Sequence, residues 1–499
     1  MADFDLAIIG GGINGAGIAR DAAGRGLRVL LVEQNDLASG TSSASSKLIH
    51  GGLRYLEHFA FRLVHEALTE REVLLRMAPH VIRPMRFVLP PVPGPRSPLL
   101  LRFGLFLYDN IGNRKLLPPT RTIDLTHHDV AAPLKRSYRF GFEYSDCSVD
   151  DARLVVLSAV DAAERGALIR TRTRCVRAER GSEQWNLVLN SRGRRDVATA
   201  RIVINAAGPW IGQVAENVLR TPLQSGVRLV KGSHIVIRRP FAHDYGYLLQ
   251  NEDRRVIFAL PFADEFTLIG TTDENFVGDV GTPAASPQEV AYLCSAVNTY
   301  FRDTVMPDEV VLAFAGVRSL HDDGSNKPED VTRDYMLTLD ETPGQAPLLT
   351  VYGGKITTYR RLAEAAMARI SHFLERQAPW TAGSTLPGGD FAFDGLDALI
   401  AALRDRYPFL TAPHARRLAH AYGTRASRIL GQAQSLEDLG PRFTGDLTGA
   451  EVRYLMHHEW AQTSDDVLWR RTKLGLLSTP EERKALAGFM AGGEPVAPA

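Results

Sequence analysis

The sequence is short of the features that mark several protein classes. Only three cysteines occur, Cys147, Cys175 and Cys294, far apart and with no CxxC pair. That leaves neither a disulfide framework nor a thiolate metal site, and it fits reduced thiols in a reducing compartment. No apolar run reaches the roughly 18 residues that a spanning helix needs. The nearest approach, Leu99 to Tyr108, is interrupted by Arg102. Asp3 and Asp5 stand where a secretory signal would carry basic residues, so no such signal is expected. The 58 Lys and Arg nearly cancel the 57 Asp and Glu, for a formal charge of +1. A surface-wide attraction to nucleic acid is therefore excluded, although a local basic face is not. There is no internal repeat and no low-complexity tract, and Pro90 to Pro95 reads as a loop.

What remains is an ordinary globular composition, 44% hydrophobic and 23% charged, on a chain of 499 residues, long enough for at least two domains. The start reads strand, glycine turn, helix, strand: Leu6–Ile9, Ile13–Arg25 and Val29–Val32. Gly10-Gly11-Gly12-Ile13-Asn14-Gly15 satisfies GxGxxG at the turn. Gly10 permits the tight bend, Gly12 lets a pyrophosphate approach the backbone, and Gly15 lets the helix pack on the strand. The helix start then offers free N–H groups and a positive dipole end to phosphates. Glu33, 18 residues after Gly15, ends the second strand, where a carboxylate accepts from ribose hydroxyls and disfavours a 2′-phosphate.

Three further clusters narrow the nucleotide to a flavin. Residues 41–55 (TSSASSKLIHGGLRY) pack hydroxyls, glycines and basic groups into a loop suited to a second nucleotide-like body, followed by a helix from Leu53 to about Met77. A buried strand runs into Asn205-Ala206-Ala207-Gly208-Pro209-Trp210. A third, Val351 to Thr358, passes from strand to helix through Gly353 and Gly354, aiming a helix start at the flavin pyrimidine edge. Strand-like segments fill Arg165 to Leu268 and recur at Leu348–Tyr352, with helices near Pro287–Arg302 and Lys355 to about Arg376. Leu386-Pro387-Gly388-Gly389 reads as a linker to a helical domain, 390–499, with helices at Leu396–Tyr407, His414–Tyr422, Gly449–Glu459 and Asp465–Leu476.

The sequence resembles the FAD-dependent glycerol-3-phosphate dehydrogenases of the aerobic, respiratory kind over nearly its whole length. The resemblance runs through the motifs above and through residues 142–147 (FEYSDC), 150–153 (DDAR), 231–234 (KGSH), 269–273 (IGTTD), 316–318 (GVR) and 332–335 (TRDY). It continues in the tail with His458-Glu459-Trp460 and Trp469 to Lys473. Ser319 departs from it where proline is expected. The resemblance implies an α/β fold, an FAD-binding Rossmann-type domain of the D-amino-acid-oxidase, glutathione-reductase-like superfamily. That domain, residues 1–385, is interleaved with a β-rich substrate domain at roughly 80–150 and 210–345. A linker at 386–389 and a C-terminal α-helical domain at 390–499 follow.

FAD is the expected cofactor. Its expected contacts are Gly10, Gly12, Ile13, Asn14, Gly15, Glu33, Thr41, Ser42, Ser46, Lys47, Leu48, His50, Gly51, Gly52, Val176, Ala207, Gly208, Trp210, Gly354, Lys355, Ile356 and Thr357. The resemblance further places Arg54, Tyr55, His234, Arg318, Arg333 and Lys355 around glycerol 3-phosphate, with dihydroxyacetone phosphate as product. A phosphate ester needs several fixed donors, since one ion pair at about 4 Å gives roughly 4 kcal/mol at an effective dielectric of about 20, before desolvation. Arginine suits it through its planar fork. Hydride would pass from substrate C2 to flavin N5, with Arg318 and Lys355 in the catalytic group and His234, His50, water or Lys355 as the base.

The pairs His127-His128 and His457-His458 lack HxxxH spacing, so no metal is expected. The family's acceptor is a membrane quinone, and residues 96–115 combine seven Leu and Phe side chains with Arg96, Arg102, Arg114 and Lys115, as an interfacial segment or as a buried helix with charged ends. The implied location is the inner face of the cytoplasmic membrane, as a peripheral, monotopic homodimer. An oxidase using O₂ on the same fold, and a flavin-binding sensor without turnover, are the alternatives.

Overall fold

The computed structural model describes residues 2–91, 97–112, 114–239, 241–251, 253, 255–325, 331–374 and 378–492. Most of the proline-rich loop, together with Arg96, lies outside them. The strand Phe4–Ile9 is the centre of the first sheet, paired in parallel with Val29–Val32 on one side and with Arg194–Asn205 on the other. Leu6, Ala7 and Ile8 are fully buried, because a parallel strand is covered on both faces and must be apolar throughout. The order Met336–Asp340, Leu348–Tyr352, Arg194–Asn205, Phe4–Ile9, Val29–Val32, Leu168–Arg170 completes the sheet. A meander, Thr173–Arg180 and Trp185–Ser191, pairs antiparallel with Arg194–Asn205. The edge strand Met336–Asp340 belongs here and pairs with Leu348–Tyr352, although the sequence boundaries group it with the substrate domain.

The helix Ile13–Gly24 packs on this sheet through small residues. A methyl group on Gly15 would lie 1.9 Å from Gly10 O, so only glycine allows this approach of helix to turn. The second sheet contains Ile82–Leu89, Arg121–Asp124, Phe140–Val149 and four strands between Val227 and Gly270, with Val310–His321 paired to Val227–Ile237 over its full length. Glu274–Asn275 and Leu48–Ile49 close its two ends, the latter carrying the serine-rich loop directly onto the sheet. The expected long helix from Leu53 is divided. A short 3₁₀ segment, Leu53–His58, precedes the α-helix Phe61–Met77, because Gly52 and Phe59 both take left-handed backbone and break the run.

The helical domain forms its own core from Leu403, Tyr407, Leu418, Tyr422, Leu455, Val467 and Leu486 among others. Of the expected Asp465–Leu476 helix, only the wide turn Asp466–Arg471 and the short Leu474–Leu476 form. The junction at 386–389 is buried, and its polar backbone is bonded. Leu386 N–H donates to Met77 O at 2.8 Å and Thr424 N–H to Gly388 O at 3.1 Å. A methyl group on Gly423 would lie 1.9 Å from Gly388 O. The two parts therefore meet along a packed seam.

Buried charge crosses that seam. Arg153, on the helix Asp151–Glu164, meets Glu459 with Nη2 to Oε1 at 2.9 Å, both side chains buried. Arg471 forks onto both oxygens of Asp36 at 2.8 and 2.9 Å. Arg425 pairs with Glu164 at 2.6 Å nearer the surface. Removing one member of a buried pair leaves the other charge uncompensated. Glu459→Ala should cost about 3–5 kcal/mol of stability, read from urea unfolding of the flavin-loaded protein. A loss below about 1 kcal/mol, the value of an exposed pair, would contradict this assignment.

Candidate active site

A single cavity of about 810 Å³ runs from the glycine turn to the second sheet. At one end stand Gly10, Gly12, Ile13, Asn14 and Glu33, joined by Gln34, Thr173, Arg174 and Cys175. Both Glu33 oxygens already accept backbone N–H groups, from Gly11 and Asn35 at 2.8 Å, which fixes the carboxylate at the end of its strand. The helix N-terminus at Gly12 has no side-chain cap of its own, and Ile13 N–H donates to Ser42 Oγ at 3.0 Å, so the loop serves as part of the cap. A side chain on Gly12 would press on Ser42 Oγ at 3.1 Å and fill the cradle. Asn14 Oδ1 is buried with no hydrogen-bond partner, and its Nδ2 donates to Gly353 O at 3.0 Å. An open anion cradle at a helix start, a fixed carboxylate beyond it and a long cavity fit FAD.

Thr41, Ser42, Ser46, Leu48, His50, Gly52, Ala207, Gly208, Trp210, Gly354, Ile356 and Thr357 all line the same cavity. Gly15, Lys47, Gly51 and Val176 do not. Gly15 acts through packing, as above. Gly51 donates its N–H to the Tyr108 hydroxyl, Oη, at 2.7 Å and has no room for a side chain against Leu68. Lys47 turns away from the cavity to Asp151, Nζ to Oδ2 at 2.8 Å. Val176 sits at a bulge in its strand, and its neighbours Arg174 and Cys175 form the wall.

The far end collects cations. Arg54, Arg318, Arg333 and Lys355 line it with Tyr55. Arg318 Nη1 and Arg333 Nη2 both bond Asp273 Oδ1, at 2.7 and 3.0 Å. Lys355 Nζ lies 3.8 Å from the centre of the Tyr55 ring. Burial lowers the Lys355 ammonium from its ordinary value, with Tyr55 acting against it. For Tyr55 burial pushes upward, but Lys355 and Arg333 together outweigh it and its hydroxyl is lowered. No ion pair among the described residues engages Arg54. Ser319, at the departure from the family pattern, is an in-register strand residue opposite Leu229, and its carbonyl accepts from Gly353 N–H at 2.8 Å.

The two histidines are placed differently. His50 is on the wall, edge-on to Phe258, and burial followed by Lys355 and Arg71 pushes its pKa down to about 4. His234 does not line the cavity. Its Nε2 meets Ser46 Oγ at 2.9 Å, its ring stacks on Phe314, and burial, then Lys47 and Arg318, push it down to about 3. Both imidazoles are thus neutral at ordinary pH. Asp273 was missed as a site residue, although its motif was visible. The signal available was the carboxylate's position between two arginine motifs, which only the fold brings together. Among the described residues no cluster of three or more His, Cys, Asp or Glu side chains could hold a metal.

The pattern of the FAD-dependent oxidoreductase family matches residues 5–360, and that of the C-terminal domain of alpha-glycerophosphate oxidase matches residues 379–491. A glycerol-3-phosphate dehydrogenase of Pseudomonas aeruginosa is 50% identical over 99% of this chain and 96% of its own. A D-erythritol 1-phosphate dehydrogenase of Brucella abortus is 51% identical over 96% of each. The crystal structure of the glycerol-3-phosphate dehydrogenase from Bacillus halodurans complexed with FAD is 25% identical, with a TM-score of 0.73 over 98% of this chain and 94% of that one. With its glycine cradle, its fixed carboxylate and a match spanning most of its length, the chain belongs to the FAD-dependent oxidoreductase family.

Proposed function

We propose that the protein oxidises sn-glycerol 3-phosphate to dihydroxyacetone phosphate. The observation that carries this reading is the set of four cations on the wall of the cavity, Arg54, Arg318, Arg333 and Lys355, with Asp273 bonded to two of them. A doubly charged ester needs such a group, and an amine or amino acid does not. Asp273 holds the two guanidinium groups together before substrate arrives, which spares part of the ordering cost on binding. FAD, when bound, supplies the two-electron acceptor for the hydride leaving C2. The C2 hydroxyl proton passes to a neutral imidazole. His50 stands on the wall itself, and His234 is reached through Ser46 Oγ.

A second substrate is supported by the relative named for D-erythritol 1-phosphate, whose four-carbon chain carries the same phosphate. Anaerobic mixing of the flavin-loaded protein with each ester distinguishes them. Bleaching of the flavin should be fastest with sn-glycerol 3-phosphate. Faster bleaching with D-erythritol 1-phosphate would move the assignment to that substrate, and no bleaching with either would leave a flavin-binding protein without this activity. Arg318→Ala should lower kcat/KM by roughly 30-fold to several thousand-fold, the equivalent of about 2–5 kcal/mol for a buried charged contact. Unchanged kinetics in that variant would remove Arg318 from the site.

The acceptor we propose is a membrane quinone. The helix Pro98–Ile111 leaves Leu99 79%, Phe103 58% and Phe106 61% exposed, and Phe59 and Phe61 stand beside it as further exposed rings. Leu100, Phe103, Phe59 and Phe61 also line the cavity, so the apolar face continues into the flavin site. No helix of the described residues is long and apolar enough to cross a membrane, and a face of this kind suits an interfacial contact. Arg114 is tied inward, its Nε lying 3.8 Å from Asp109, so the exposed apolar side chains are the sharper test. Replacing Leu99 and Phe106, which are exposed but do not line the cavity, by serine should shift the protein from sedimented anionic vesicles to the supernatant and slow quinone reduction, while anaerobic flavin bleaching stays at its normal rate. Unaltered partition would rule out this surface, and stoichiometric hydrogen peroxide in place of quinone reduction would make the protein an oxidase.

A further inference from the structure

Two cavities back onto one short segment. Gly40, Thr41 and Ala44 line both the flavin cavity and a second cavity of about 340 Å³, which Trp210, Phe262, Phe314, Trp469 and Lys473 also wall. The loop Thr41–Lys47, whose Thr41, Ser42 and Ser46 face the flavin cavity, therefore stands between that cavity and the second one at Thr41 and Ala44, a partition it shares with Trp210 and with Gly316 and Val317. A wall lacking close packing behind it forfeits the dispersion contacts that normally fix a loop, so its position depends on directional polar bonds.

Several of those bonds converge on Asp151. Ser45 Oγ and Lys47 Nζ both bond Asp151 Oδ2 at 2.8 Å, and Ser45 N–H reaches the same oxygen at 3.3 Å. The carboxylate is fully buried at the start of its helix. Its other oxygen accepts Ala152 N–H at 2.9 Å and faces Lys473 Nζ at 3.6 Å. Lys473 belongs to the C-terminal domain, where its Nζ also donates to Trp469 O at 3.0 Å and lies 3.4 Å from Asp150. We infer that Lys473 is a positioning residue for the flavin, holding the Thr41–Lys47 loop in place across the domain seam by way of Asp151. Burial would by itself raise the Asp151 carboxyl, but Lys47 and Lys473 outweigh it and hold it ionised down to about 2, so the acceptor for Ser45 and Lys47 is a full charge. The helical domain thereby supports the flavin site although none of its described residues lines the flavin cavity.

The test uses full-length, flavin-loaded protein and follows FAD release by the rise of free-flavin fluorescence, alongside the visible circular dichroism of the bound flavin. Lys473→Met keeps the length of the side chain and removes the charge. Release about tenfold faster, with a changed dichroism band, is expected. Arg425→Gln cuts the separate seam pair with Glu164 and is expected to lower the melting temperature while leaving flavin release at the normal rate. Acceleration below threefold in Lys473→Met, or an equal acceleration in Arg425→Gln, would overturn the inference. Should Lys473→Met yield no folded holoprotein, Lys473→Gln, which keeps a polar donor but removes the charge facing Asp151, is read against the same thresholds.

Discussion

The approach of the Gly10 carbonyl to the Cα of Gly15 is the constraint from which the rest of the molecule follows. It brings the helix Ile13–Gly24 down onto the parallel sheet and turns the first N–H groups of that helix toward the cavity. Any side chain at Gly15 would lift the helix away and with it the anion cradle. The four-residue strand Val29–Val32 then delivers Glu33 to the opposite side of the same turn, and the loop from Thr41 returns to cap the helix through Ser42. One close contact in the backbone thus sets where a dinucleotide can lie.

Charge is handled in two ways along that cavity. At the glycine end it is met by backbone dipoles, which need no counter-ion and cost far less to bury than a full charge. At the far end it is met by full cations, which do. The structure limits that penalty by pairing: Asp273 shares Arg318 with Arg333, and Lys355 rests on the ring of Tyr55. On the proposed function, an incoming phosphate would complete a partly balanced group. The same economy recurs at the seam, where Asp36, Asp151, Glu459 and Asp466 each meet two or more cations, so that few buried charges stand alone.

Local features were legible in the sequence because their physics is local. The glycine turn needs only three glycines at fixed spacing between a strand and a helix, and Glu33 needs only the length of that helix. The order of the flavin clusters, and the cations within them, also lay in contiguous motifs. Contacts set by chain folding were not legible. Whether His50 or His234 faces the cavity depends on which side of the second sheet each side chain takes, and Gly270 leaves space for the His234 ring on the far side. Asp273 reads as a motif residue until the strand Val310–His321 and the turn at Arg333 bring both arginines to it. The 386–389 stretch had the composition of a flexible tether, but its glycines are there because Tyr422, Gly423 and Met77 backbone atoms leave no space for side chains.

That junction has an evolutionary corollary. With Gly388 pressed on Gly423 and Thr424 N–H bonded across, the crossing has no slack, and a single inserted residue would displace the hydrogen bonds on either side of it. Length changes accumulate where backbone is exposed and unbonded. Homologues longer or shorter than this chain should therefore carry their indels in surface loops and at the termini, and keep the crossing at constant length. The seam then serves as a fixed point of alignment between the two halves, and fusing this helical domain to a different flavin domain would require both faces to be transplanted together.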